Sequence, residues 1–240
     1  MRVEAQPAYV LHARAWRETS AIVDLLSRDH GRIALVARGL VGPKKHPLRA
    51  ALQPLQLLRV DYLERGELAR LLQAEALDVA PVLAGDKLMA VFYINELMLR
   101  LAPRQDPAQP LFELYGRVRA ELGSVASLAW TLRRFERDLL DALGYGLTWN
   151  QTAQGAPLEP SSRYRLEAEY GAVRELHRAS GGVSGAALLA LAEDLMPTPE
   201  LLQELRTALR GVLAAHLGPT PLKSWGMLSD LARVRPRHQE

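Results

Sequence analysis

Between positions 28 and 49 the chain places Arg28, Arg32, Arg38, Lys44, Lys45 and Arg49 against one acid, Asp29. That local excess of positive charge complements a phosphate backbone or another polyanion. On charge alone, a solvated basic loop without a partner is an equal reading. Gly39 and Gly42 lie inside the run, and glycine lets a backbone bend close to a ligand. Tyr9, Trp16 and Tyr62 supply the nearby aromatics, which in barrels that bind single strands stack on bases. Each has a competing role in packing, and Tyr62 reads better as a core residue.

Catalytic patterns are missing. Gly39-Leu-Val-Gly-Pro-Lys-Lys lacks the spacing and the hydroxyl of a phosphate-binding loop, and no nucleophile elbow, dinucleotide fingerprint or paired zinc-histidine motif occurs. His12, His30, His46, His177, His216 and His238 are scattered, with no pair four residues apart. The chain has no cysteine, so disulfides, thiolate zinc sites and cysteine nucleophiles are excluded. The expectation is a binding protein, not an enzyme; a nuclease or hydrolase with a dispersed acidic site is the weakest reading.

The elements that must position these residues change character near residue 80. Before it, Ala8–Trp16, Ala21–Ser27 and Arg32–Arg38 read as strands, with a tight turn at Asp29-His30-Gly31. Leu58, Val60 and Tyr62 alternate with Arg59 and Asp61, a half-buried strand. Glu67–Asp78 fits strand or helix equally. Four or five short strands in 80 residues predict a small barrel or sandwich. After residue 80 the period becomes helical over 87–101, 111–122, 128–143, 185–195, 198–217 and a short stretch from 220 to about 231. Thr198-Pro199-Glu200 is a helix start and Gly144 a stop. Residues 146–182 read as irregular. Arg134 with Asp138, and Arg137 with Asp141, have the spacing of helical ion pairs.

At 240 residues, 48% of them hydrophobic, the chain is long enough for a large buried core or two. The net charge of +3 averages a basic front, an acidic-leaning middle and a basic end. The start MRVEAQPAYV has no basic region followed by an apolar one, and no uncharged stretch reads as a membrane span, so a soluble chain is expected.

The chain carries Val10-Leu-His-Ala-Arg-Ala-Trp-Arg-Glu-Thr-Ser20, Gly31-Arg-Ile-Ala-Leu-Val-Ala-Arg-Gly39 with its basic loop, and Leu52-Gln-Pro-Leu55. Tyr93-Ile-Asn-Glu-Leu97, Leu132-Arg-Arg-Phe-Glu136, Leu143-Gly-Tyr-Gly146 and Pro221-Leu-Lys-Ser224 follow. In this order the motifs resemble the RecO family of DNA repair proteins. The resemblance runs from about residue 8 to 231, and the motifs are specific together, not singly.

The resemblance implies an α+β, multidomain chain: an OB-fold β-barrel over 1–80, then an all-α helical domain over 81–240 with the irregular insert at 146–182. It implies a cytoplasmic, nucleoid-associated bacterial mediator that binds single- and double-stranded DNA and anneals complementary strands. With RecR, such a protein helps load RecA onto strands coated by single-strand-binding protein (SSB). Many members carry a four-cysteine zinc site after the Leu-Gly-Tyr motif. Here residues 147–170 have no cysteine, so no metal or other cofactor is expected and polar contacts must hold the insert. Arg28, Arg32, Arg38, Lys44, Lys45 and Arg49 are the expected DNA contacts. For the acidic, aromatic-tipped SSB tail, Arg133 and Arg134 beside Phe135 and Leu139, with Lys223, are the expected receptor. An OB-fold adaptor for RNA or protein is the alternative function.

Overall fold

The computed structural model describes residues 1–40, 47–64, 66, 68–175 and 182–227. Five strands, β1 (Arg2–Trp16), β2 (Ser20–Ser27), β3 (Gly31–Ala37), β4 (Leu57–Leu63) and β5 (Ala69–Ala76), close a barrel in the order β1-β2-β3-β5-β4. All neighbours are antiparallel except β3 and β5, which pair in parallel. Within the ambiguous 67–78 segment, Ala69–Ala76 is thus a strand. Its partner β4 supplies the hydrogen-bond ladder that its sequence period could not announce. Val10, Val23, Leu25, Leu35, Leu58, Val60 and Tyr62 fill the interior. A short helix α1 (Pro47–Ala51) precedes β4.

Packing divides the chain differently from the change of sequence character. One compact unit takes Met1–Gly123 and the described residues from Leu222 on; the other takes Ser124–Pro221. Helices α2 (Asp86–Leu101) and α3 (Gln109–Leu122) therefore belong with the barrel. The reason lies in β1. A bulge between Val10 and His12 leaves Leu11 outside the ladder with β2. Its carbonyl accepts from Asn95 Nδ2 of α2 at 2.9 Å, and Tyr115 of α3 donates its hydroxyl to Asn95 Oδ1 at 2.6 Å. Tyr9 packs its ring on Phe112 and Tyr115 of α3, at 4.8 and 5.0 Å between centroids. Glu96, next along α2, accepts from the backbone N–H groups of Lys223 and Ser224 at 2.8 and 2.9 Å. That contact returns the C-terminal segment to the first unit.

The second unit holds α4 (Leu128–Ala142), α5 (Gly185–Ala192), α6 (Pro199–Leu217) and a small sheet. Helix α4 stops as expected: Gly144 N–H bonds Asp141 O and Tyr145 N–H bonds Leu140 O, both at 3.0 Å, satisfying two terminal carbonyls. Thr198 sits at the N-cap of α6, but its hydroxyl serves Glu200 instead of the first-turn amides. The 146–182 stretch is not irregular throughout. β6 (Arg163–Glu167) lies between β7 (Gly171–Arg174) and β8 (Val183–Ser184). Strands of five, four and two residues are too short to display an alternating pattern.

Protein groups hold this insert. Thr152 N–H bonds Ala156 O and Ala153 N–H bonds Ala172 O, each at 2.8 Å. Glu204 of α6 takes Arg163 at 2.6 Å and the Ser184 N–H at 2.8 Å, tying the sheet to the helix. Without cysteine, the donor set does not fit a thiolate zinc site, and no cluster of three metal-ligating side chains occurs among the described residues.

Two stability outcomes follow. Gly31 combines a φ of 59° with a close approach: a Cβ there would overlap the Asp106 carbonyl. Gly85 has the same φ and open space around it. Gly31→Ala should cost more than Gly85→Ala in urea unfolding: each replaces glycine at positive φ, at a backbone penalty of about 1–3 kcal/mol, and only the first adds a clash. In the second unit, His216 stacks on Tyr145 at 3.6 Å, and its Nε2 is buried without a hydrogen-bond partner. Burial lowers the imidazole's pKa, against an opposing pull from Glu169. The neutral ring is favoured in the folded state. Its contribution is complete above about pH 6.5 and is lost as the pH falls from there through the lowered value. His216→Phe, which keeps a stacking ring, should flatten the fall of the urea midpoint between pH 7.5 and 5.

Candidate nucleic-acid interface

Strand register decides which cations meet. Arg14 pairs with Ile22, which pairs with Val36; Ala15 pairs with Ala21, which pairs with Ala37. The ends of β1 and β3 and the β1–β2 hairpin therefore share one end of the barrel. Arg14, Trp16, Arg17 and Arg38 are all exposed there. An open groove of about 380 Å³ runs beside them, lined by Ala13, Arg14, Ala15, Ala21, Leu40, Arg49 and Leu52. Buried Ala21, Leu40 and Leu52 form an apolar floor, and Arg14 and Arg49 contribute the cationic walls.

Arg49 also has a structural task. Its Nε and Nη2 both donate to Leu40 O, at 3.1 and 2.8 Å, fixing the exit of β3 against α1. Lys44 and Lys45 fall between these anchors in sequence and lie outside the described residues.

Arg28 and Arg32 do not join this group. They occupy the β2–β3 hairpin at the opposite end of β3, about 20 Å from Arg38 at ~3.3 Å per residue. Arg28 grips Asp29 with two hydrogen bonds, Nε to Oδ1 at 3.0 Å and Nη2 to Oδ2 at 3.1 Å. Each partner stabilises the other's charged form, raising the guanidinium pKa and lowering that of the carboxylate. Arg32 donates through Nε to Ala102 O at the end of α2, and its backbone bonds Pro103 O and the Gln105 N–H. Its guanidinium is half-buried, and desolvation, with Arg104 nearby, lowers its pKa. The two arginines expected to contact DNA therefore stand apart from Arg38: Arg28 pairs with its neighbour, and Arg32 seats the segment after α2.

The three aromatics also separate. Tyr62 is fully buried in the barrel, its hydroxyl without a partner and pushed up to about 12 by burial. Tyr9 is buried against α3. Trp16 is 40% exposed, with the Arg17 guanidinium 5.9 Å from its ring centroid. Sequence reasoning missed Arg14 and Arg17. The period of two along β1, which sets Arg14 and Trp16 on one face, was the available signal.

The residues expected to receive the SSB tail differ in burial and in the unit they belong to. Phe135 and Leu139 are buried in the second unit. Arg133 is buried too and forms an ion pair with Glu136, one turn along α4. A helix position between two apolar stripes admits an arginine only when a carboxylate follows it inside. Arg134 is partly exposed and lies 3.5 Å from Asp194. Lys223 is exposed but belongs to the barrel's unit, where its backbone meets Glu96. Arg137 turns to Asp138 and Asp194 instead of Asp141, whose carboxylate accepts the Trp149 indole N–H at 3.2 Å.

Known proteins match this chain along nearly its whole length. The model of the recombination protein O N-terminal domain matches residues 1–80, and that of the C-terminal domain residues 83–226. The DNA repair protein RecO of Xanthomonas euvesicatoria pv. vesicatoria is 53% identical over 240 aligned residues, covering 98% of this chain and 100% of the relative. That of Stenotrophomonas maltophilia strain R551-3 is 53% identical over 239, with the same coverage. With both domain models matched in order and half of all positions identical to these proteins, the chain belongs to the RecO family of DNA repair proteins.

Proposed function

We propose that this chain is a recombination mediator that binds single- and double-stranded DNA, anneals complementary strands and, with RecR, helps load RecA onto SSB-coated strands at the bacterial nucleoid. The cation-walled groove at one end of the barrel, in a chain of the RecO family, carries the reading. Arg14, Arg17, Arg38 and Arg49, together with Lys44 and Lys45, take the phosphates. Two strands about to pair repel each other through their backbones. A fixed array of cations lowers that repulsion at the point of encounter and releases the counterions each strand carried. No bond is made or broken in protein or DNA, which suits a chain lacking the known catalytic motifs.

For the SSB tail, the second unit offers Arg134. It lies beside Asp194, and exposed Leu195 and Met196 follow directly. A cation next to exposed apolar side chains is what an acidic peptide with an aromatic tip requires. Arg133 serves the interior of the unit and is left out of this receptor.

The protein should speed annealing of complementary oligonucleotides, bare or SSB-coated, without Mg²⁺-dependent cleavage of either strand. Arg38→Ala and the Lys44→Ala/Lys45→Ala pair should each weaken DNA binding and flatten the slope of log affinity against log salt by roughly one for every phosphate no longer neutralised. Wild-type affinity and slope in all of them would remove the groove from DNA binding. A labelled SSB-tail peptide should bind Arg134→Ala several-fold more weakly; unchanged affinity would place the receptor on other residues.

A further inference from the structure

We propose that Trp16, with Arg17 across one face of its ring, is a base-stacking platform that makes the barrel groove prefer single-stranded over duplex DNA. This rests on the DNA reading of the groove and adds a residue that reads the state of the strand.

Trp16 ends β1 and has no part in the barrel interior. Its indole is 40% exposed, while Trp130 and Trp149 are 7% and 9% exposed. Nearly half of this large aromatic residue therefore faces solvent beside the hairpin. Its surroundings, however, are those of a nucleotide site. Arg14 lies two residues earlier on the same strand face and walls the groove. Arg38 is exposed at the end of β3, two strands away at the same level. Arg17 lies over the indole at 5.9 Å, where a cation is attracted by the ring and also polarises it. Phosphates held by Arg14 and Arg38 would bring a base to the ring.

The selectivity follows from geometry. In a duplex every base face is already stacked on its neighbours, so an indole gains a partner only by unstacking one. In a single strand a base face is available at small cost, and aromatic stacking tolerates any base. The cations, by contrast, serve either form of DNA. Salt-dependent binding therefore belongs to the arginines, and strand-state preference to Trp16.

Anisotropy titrations of the full chain separate the two. The ligands are a fluorescent oligo-dT, an abasic strand of the same length and a duplex. Trp16→Ala should weaken oligo-dT binding about tenfold. It should leave the abasic strand and the duplex within about twofold, with the salt slope unchanged. Trp16→Phe, which keeps a smaller ring and guards against misfolding, should fall between wild type and alanine on oligo-dT alone. Equal losses on oligo-dT and the abasic strand, or no loss on oligo-dT, would overturn the platform. The failure of the groove itself has a different signature, namely unchanged affinity and salt slope in Arg38→Ala on all three ligands.

Discussion

A single backbone carbonyl sets the organisation of the first unit. The bulge in β1 removes Leu11 from its ladder, and burial denies that carbonyl water. An unpaired buried acceptor costs about 1–3 kcal/mol, so the fold must bring it a donor. Asn95 does so from α2, and Tyr115 then satisfies the Asn95 oxygen from α3. With both helices fixed, Tyr9 gains its aromatic neighbours and Glu96 is positioned to take two amides of the C-terminal segment. Two stretches that carry the family resemblance, Tyr93–Leu97 and Pro221–Ser224, thus meet in one set of hydrogen bonds. The barrel and α2–α3 form one body because the strand is irregular, not in spite of it.

That attachment gives the two ends of the barrel different tasks. At the β2–β3 hairpin the chain after α2 runs alongside β3, Gly31 lies against Asp106, and Arg32 closes on Ala102. The two arginines of the basic run at that end both have partners within the protein, Asp29 in one case and a helix carbonyl in the other. At the other end Arg14, Arg17 and Arg38 face solvent beside an apolar-floored groove. The net charge of +3 conceals this division. What matters for a polyanion is the number of cations still facing solvent on one surface, and that depends on register more than on composition.

The same distinction explains what could be read from the sequence. Strands β1 to β3 were legible as short runs rich in Val, Ile, Leu and Tyr set off by turn residues, β4 by its alternation, and the Asp29-His30-Gly31 turn because it needs a left-handed residue. The helices were legible by their stripes. The basic run from Arg28 to Arg49 was legible only as a run. Strand β3 carries the chain from Arg32 to Arg38, and the two are thereby set at opposite ends of the barrel. The burial of Arg133 was not legible for a related reason. Its charge suggests a surface, but Glu136 lies one turn later and lets both go inside. The boundary at residue 80 marks where strands give way to helices, whereas the packing boundary depends on the Leu11 carbonyl, which no side-chain pattern reports.

The cysteine-free insert makes a similar point about what polar side chains can hold together. A four-thiolate zinc site would fix a short segment by supplying bonds stronger than its own core can. Here three strands of five, four and two residues would be marginal alone. They are stabilised by being tied to a long helix. Glu204 of α6 engages Arg163 on the central strand and the backbone of β8 together, so one carboxylate spans two strands. Tyr164, buried at 1% exposure, uses its hydroxyl to hold the Glu159 amide at 2.9 Å, and Glu159 in turn pairs with Arg174 of β7. Each strand is thereby fixed by a polar side chain whose other partner lies on a different element. Hydrogen bonds of this kind are individually weak, about 1 kcal/mol each, and they suffice because α6 is already anchored by its own apolar face of Leu202, Leu205, Leu209, Val212 and Leu213.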